Sequence, residues 1–196
     1  MPRFNVGDGN TPLTPEELSD LIPNLATREE LNEWERENIL RGRRWALARR
    51  NDKTSIPLSD GYIRKLHDRM FDQTWKWAGN YRKTEKTIGV PVPQMREMLV
   101  ALLGDANFWI ENNTYPADEI AVRFHHRLVL IHVFPNGNGR HARLIADVLA
   151  VKLARPVFTW GQLSLLKLGE AREKYLQSLR AADAGNLVPL IEFARS

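Results

Sequence analysis

Residues 116–153 read PADEIAVRFHHRLVLIHVFPNGNGRHARLIADVLAVKL, two apolar-periodic segments parted by a turn that carries two glycines. The first opens at Pro116 and repeats Ile120, Phe124, Leu128 and Ile131 at spacings of three and four, the pattern of a helix with one buried stripe. It should stop near His132 to Phe134, because Pro135 disfavours a helical residue before it. A second helical pattern runs from Leu144 to Leu153 and ends before Pro156.

The same periodicity extends outward. Thr14-Pro15-Glu16-Glu17 and Thr27-Arg28-Glu29-Glu30 carry capping-box chemistry, and the second opens a helix through Leu31, Trp34, Ile39 and Trp45 to about Arg50. Asn51 to Pro57 is a polar break, and Ser59 caps a segment through Tyr62, Ile63, Leu66 and Met70. Pro93 to Asn112 is helical again, and two more helices fall near Gly169 to Ala184 and Asn186 to Ala194. Gly79 to Pro91 differs: Tyr81, Thr84, Thr87, Ile88 and Val90 lie among Lys, Arg and Gly, which predicts a short exposed hairpin. The expected fold is all-α with one small β-hairpin, divided into an N-terminal helical arm over 1–54 and a core over 55–196.

Composition bounds the partners. The chain has 196 residues, 43% hydrophobic and 27% charged, and no cysteine, so disulfide scaffolds and thiolate metal sites are excluded. Met1 to Pro12 reads as disordered and lacks the apolar stretch of a secretory signal, no run is long enough to span a membrane, and a cytoplasmic location is expected. The formal charge of +4 suits an anionic ligand, either a nucleotide or a nucleic acid. Arg41, Arg43, Arg44, Arg49 and Arg50 cluster toward one helix end, which keeps a nucleic-acid-binding module as an alternative. A metal hydrolase on His125, His126 and His132 is disfavoured, since adjacent histidines point to different sides of a helix and no H-E-x-x-H occurs.

The chemistry concentrates in residues 132–143, H-V-F-P-N-G-N-G-R-H-A-R. Gly137 and Gly139 flank Asn138 and permit tight turning and close approach of backbone to a ligand. A helix start supplies amides without intrahelical partners, and with the helix dipole these favour phosphate. Arg140 and Arg143 share one face of the first turn, where guanidinium groups can grip phosphate oxygens. His132 faces the same turn with the side chain best suited to proton removal near neutral pH. On residues alone, the stretch also fits a plain helix-to-helix turn with a buried histidine and surface arginines.

The stretch resembles the Fic family signature H-x-F-x-(D/E)-G-N-G-R-x-x-R, with His132, Phe134, Gly137, Asn138, Gly139, Arg140 and Arg143 at the matching positions. Trp77-Ala78-Gly79-Asn80-Tyr81-Arg82 and Lys86 to Pro91 resemble that family's hairpin flap. The resemblance covers about residues 55–190 and is nearest to the bacterial subfamily called mobile mystery protein B. It implies a Fic-type helical bundle that moves AMP from ATP, with Mg2+, to a Ser, Thr or Tyr hydroxyl of a protein target or of the chain itself. His132 would be the base, Gly137, Asn138 and Gly139 the anion hole, Arg140 and Arg143 the grips on the β- and γ-phosphates, and Phe134 a buried anchor. Lys86, Thr87, Ile88 and Gly89 would dock the target segment. Asn136 stands where the family has an acidic magnesium ligand, and this leaves room for another donor: UMP, phosphocholine or phosphate transfer, or removal of AMP. Glu37-Asn38 matches the end of an inhibitory pattern, (S/T)-x-x-x-E-(G/N), with Glu33 replacing the hydroxyl residue. That places Glu37 on Arg143, unless Glu29, Glu30, Glu33, Glu35 and Glu37 simply form a solvated acidic face.

Overall fold

The computed structural model describes residues 13–48, 58–162 and 168–196. The N-terminal segment up to Pro12, the polar break after Arg50 and the arm–core boundary at 54/55 lie outside the described residues. Eight helices occur among those described: α1 (Pro15–Ser19), α2 (Arg28–Ala48), α3 (Asp60–Phe71), α4 (Val92–Glu111), α5 (Ala117–Ile131), α6 (Asn138–Lys152), α7 (Leu168–Asp183) and α8 (Val188–Arg195). Their starts are where local chemistry places them. The Thr14 hydroxyl accepts from Glu17 N–H while the Glu17 carboxylate takes Thr14 N–H at 2.8 Å. Thr27 and Glu30 exchange the same pair of bonds ahead of α2, and Ser59 Oγ accepts from Tyr62 N–H ahead of α3.

α5 and α6 form the centre. α4 and α8 pack on α5, α2 and α3 pack on each other and on α6, and α7 packs on α8. The apolar stripes meet in one core that includes Ile63, Leu66, Met70, Phe71, Leu99, Leu102, Phe124, Leu128, Phe134, Ile145, Leu149 and Leu190, all buried. Each such side chain contributes about 1.5–3 kcal/mol on burial. The stripe that the α5 pattern predicts therefore sets the register of the α5–α6 pair, and with it the position of the turn between them.

The expected β-hairpin is absent. Residues 81–90 form no paired strands, and the isolated bridge among the described residues joins Leu21 to Trp75 elsewhere. Side chains replace a cross-strand ladder. The buried Arg82 guanidinium donates to the Thr84 and Val90 carbonyls, and Glu17 of α1 accepts from Thr84 Oγ1 at 3.0 Å and Lys86 Nζ at 2.5 Å. The segment is a loop folded around an arginine and strapped by the first helix.

Candidate active site

His132 is the C-cap of α5 and lies in the left-handed region, φ 58° and ψ 59°. That step swings the chain off the helix axis, and the imidazole lines a cavity of about 1060 Å³. His132 is only 6% exposed. Burial pushes its pKa from the ordinary 6.5 to about 4; the Arg82 and Lys86 charges add to this, against a hydrogen bond to the Val129 backbone. The ring is neutral at neutral pH, the state in which it can accept a proton.

The cavity wall beside it is the start of α6. Gly137 is the N-cap at φ 77°, and a Cβ there would lie 2.5 Å from the Phe71 ring, so only glycine fits. The helix begins at Asn138, before the second glycine instead of after it. Its first intrahelical bond runs from His141 N–H to the Gly137 carbonyl at 2.9 Å. The amides of the first turn precede that bond and have no intrahelical carbonyl to reach. Gly137, Asn138, Gly139, Arg140 and Arg143 all line the same cavity as His132. The Asn138 side chain bolts the turn: its Oδ1 accepts from Phe134 N–H at 2.9 Å and its Nδ2 donates to the Phe134 carbonyl at 2.8 Å. Phe134 is fully buried and anchors the loop.

A neutral imidazole, a helix start with its first-turn amides and two guanidinium groups thus converge on one hollow. Residues 57–150 match the model of the Fic/DOC family. The match takes in the whole 132–143 turn and just under half of the chain. It is 31% identical over 119 residues to the protein adenylyltransferase fic-1 of Caenorhabditis briggsae, 59% of this chain and 22% of that protein. The chain thus spans well under half the length of the curated relatives it matches. A Fic domain containing signaling protein from Bacteroides thetaiotaomicron superposes with a TM-score of 0.70 at 20% identity, covering 87% of this chain and 69% of that one. The BepC effector of Bartonella tribocorum, solved with bound AMPPNP, superposes with a TM-score of 0.65 at 18% identity, covering 87% of each.

The two Fic-motif arginines are not equivalent. Arg140 Nη1 donates to Glu35 Oε2 at 2.6 Å, and Nη2 donates to Asn136 Oδ1 at 3.3 Å. Glu35 is buried and its other oxygen accepts from Trp75 Nε1 at 2.9 Å. Arg143 lies over the Tyr175 ring at 5.4 Å, and burial lowers its pKa. Among the described residues no carboxylate comes within ion-pair distance of Arg143. Glu37 is exposed on α2, and among the described residues it forms no ion pair with either arginine. The contact expected between Glu37 and Arg143 is not formed, and the α2 carboxylate that reaches a motif arginine is Glu35, on Arg140. Glu35 is one helical turn beyond the buried Leu31, whereas Glu37 is two residues off that stripe.

Other expectations resolve similarly. The Asn136 amide oxygen already accepts from Gly137 N–H at 2.6 Å and from Arg140. Among the described residues no group of three or more His, Asp or Glu could hold a metal ion. An engaged, uncharged amide oxygen and a Glu35 carboxylate already spent on Arg140 and Trp75 do not fit a protein-built magnesium site. Lys86 is buried against Glu17, so of the docking residues Thr87, Ile88 and Gly89 are the exposed ones, and Ile88 lines the cavity mouth. Arg41 pairs with Asp72 at 3.5 Å and Arg43 with Asp147 at 3.0 Å, which spends much of the described part of the basic cluster on carboxylates; Arg49 and Arg50 lie outside the described residues. Among the described residues no helix is long and apolar enough to cross a membrane.

His67, which sequence reading left without a role, supports the turn. Its Nδ1 accepts from Gly79 N–H at 3.0 Å, so the ring proton sits on Nε2, which faces the Asn136 carbonyl at 3.1 Å. The ring stacks on Phe134 at 3.7 Å. His67, His125, His132 and His141 are all buried, and burial lowers each pKa: well down for His67, to about 3 for His125, and to about 4 for His132 and His141. The unfolded chain protonates these groups near pH 6.5 while the native state does not. Their contribution to stability is therefore complete above that pH and is lost as pH falls toward the native values. Each costs about 1.4 kcal/mol per pH unit in that window. Against a typical total of about 5–15 kcal/mol, circular dichroism should show cooperative acid unfolding with a midpoint above about pH 4. A chain native at pH 3.5 would contradict this.

Proposed function

We propose that this chain transfers the adenylyl group of ATP to a hydroxyl of a protein. The observation that carries the reading is the convergence of His132, the first-turn amides of α6 and the two motif arginines on one cavity. Curated relatives named protein adenylyltransferases and a structural neighbour with bound AMPPNP support it. The triphosphate lies along the start of α6, where amides and helix dipole meet anionic oxygens and Arg140 and Arg143 offset the remaining charge. The target hydroxyl oxygen attacks the α-phosphorus, its proton passes to the His132 ring, and the bond from that phosphorus to the bridging oxygen breaks to release pyrophosphate. The exposed Ile88, which lines the cavity, and its exposed chain neighbour Thr87 receive the target. With Lys86 held by Glu17, docking relies on shape and backbone more than on charge.

Two features tune this activity. Glu35 occupies Arg140 as a phosphate oxygen would, so it competes with the nucleotide and acts as a brake. Magnesium, which the family resemblance implies, is carried by the triphosphate and not by the chain, because Asn136 brings no charge. Asn136→Asp should then lower the magnesium concentration that half-saturates transfer by about tenfold; an unchanged titration at fixed ATP would count against that account. The reading as a whole is tested by incubating the chain with α-labelled ATP, GTP, CTP and UTP and following label into protein. Label from ATP in preference to the others is expected. Preference for UTP would favour the alternative donor, and label from none would overturn nucleotidyl transfer.

A further inference from the structure

We propose that Arg82 is the positioning residue for the base: its guanidinium fixes the backbone of His132 and both ends of the 84–90 loop as one rigid unit. The inference rests on the reading of His132 as the base. Arg82 has no exposed side-chain surface, an unusual place for a charge that cannot be shed. Its donors are spent on main-chain carbonyls: Nε on His132 at 2.6 Å, Nη1 on Thr84 at 3.0 Å and Nη2 on Val90. Its own N–H donates to the Val133 carbonyl at 3.0 Å, so residues 132 and 133 are held by the backbone and side chain of one residue. The Glu85 carboxylate is 3.6 Å away and largely exposed, so carbonyl dipoles supply most of the compensation for the buried charge.

What this hold secures is a strained conformation. A left-handed histidine is costly by about 1–2 kcal/mol and persists only where its surroundings over-determine it. The His132 carbonyl is the group whose direction the left-handed step sets, and it is the group that Arg82 Nε grips. The loop completes the clamp. Gly89, at φ 115°, approaches so closely that a Cβ on it would lie 2.7 Å from His132 Cβ and 3.1 Å from Arg82 Nη2. The loop that faces the target and the ring that takes its proton are thus referenced to the same guanidinium. Three carbonyls around one planar fork match five fixed N–H directions; the point charge of lysine does not.

The test compares wild type, Arg82→Lys and Gly89→Ala for AMPPNP affinity, transfer from labelled ATP, thermal unfolding and the crystal structure. For Arg82→Lys, AMPPNP affinity within about threefold of wild type with transfer kcat lower by about thirtyfold or more is expected. Gly89→Ala should show the same split, since it displaces the same ring from the loop side while leaving the guanidinium in place. A merely structural role would lower the unfolding temperature and leave kcat per folded molecule unchanged, and that result in either variant would overturn the proposal. Should Arg82→Lys not fold, Gly89→Ala decides. Should wild type transfer nothing, the adenylyl-transfer reading fails on its own and the clamp is judged on structure: His132 leaving the left-handed region in Arg82→Lys supports it, and His132 unmoved overturns it.

Discussion

His132→Ala should reduce transfer of labelled AMP by about a hundred- to ten-thousandfold while leaving nucleotide affinity within a fewfold of wild type. The range is what a positioned general base contributes. Affinity should survive because the proposed phosphate contacts belong to the start of α6 and to Arg140 and Arg143, none of which uses the imidazole. The fold should also survive, since the ring already lies in a cavity wall and its removal opens that cavity instead of hollowing the core. The diagnostic result is the split itself: kcat collapses and the dissociation constant for AMPPNP does not. Transfer within about fivefold of wild type would remove His132 from the chemistry. In wild type the rate should be flat from about pH 6 to 8, because burial has already stripped the ring of its proton. Its acid limb should coincide with the unfolding that the four buried histidines impose.

The second large effect is a gain. Glu35→Gln keeps an oxygen for Trp75 Nε1 and removes the charge that holds Arg140. A hydrogen bond to a charged group is worth about 1.5–3 kcal/mol, so ending that competition should raise transfer at subsaturating ATP by about ten- to a hundredfold. Glu37→Gln, on the exposed face of the same helix, should change nothing. Equal rates in wild type and Glu35→Gln would show that Arg140 exchanges partners freely when nucleotide arrives. A larger effect from Glu37 would return the brake to the register that sequence matching suggests.

What sequence made legible was local. The α5 and α6 stripes, the threonine and serine caps and the turn before α6 each depend on residues within a turn or two, and the structure places them accordingly. The choice between Glu35 and Glu37 is different, because α2 carries acids at 29, 30, 33, 35 and 37 and no local rule says which faces inward. Its rotation is set by Leu31, Asn38 and Ala46 against its neighbours, a tertiary fact. The hairpin failed for a related reason. Thr84, Thr87, Ile88 and Val90 have strand-like side chains, but the carbonyls of Thr84 and Val90 go to a guanidinium that sequence gives no reason to place inside the protein. Long-range hydrogen bonds such as those of His67 and Arg82 join segments tens of residues apart, where periodicity carries no information.

The grip of His67 on the turn bears on how this site tolerates change. It acts through a main-chain oxygen and a stacked ring, so the path of the chain at position 136 does not depend on the charge of the side chain there, whose acceptor oxygen an acid would keep. An acid and an amide can trade places at that point without the scaffold noticing, which leaves ion demand adjustable separately from shape.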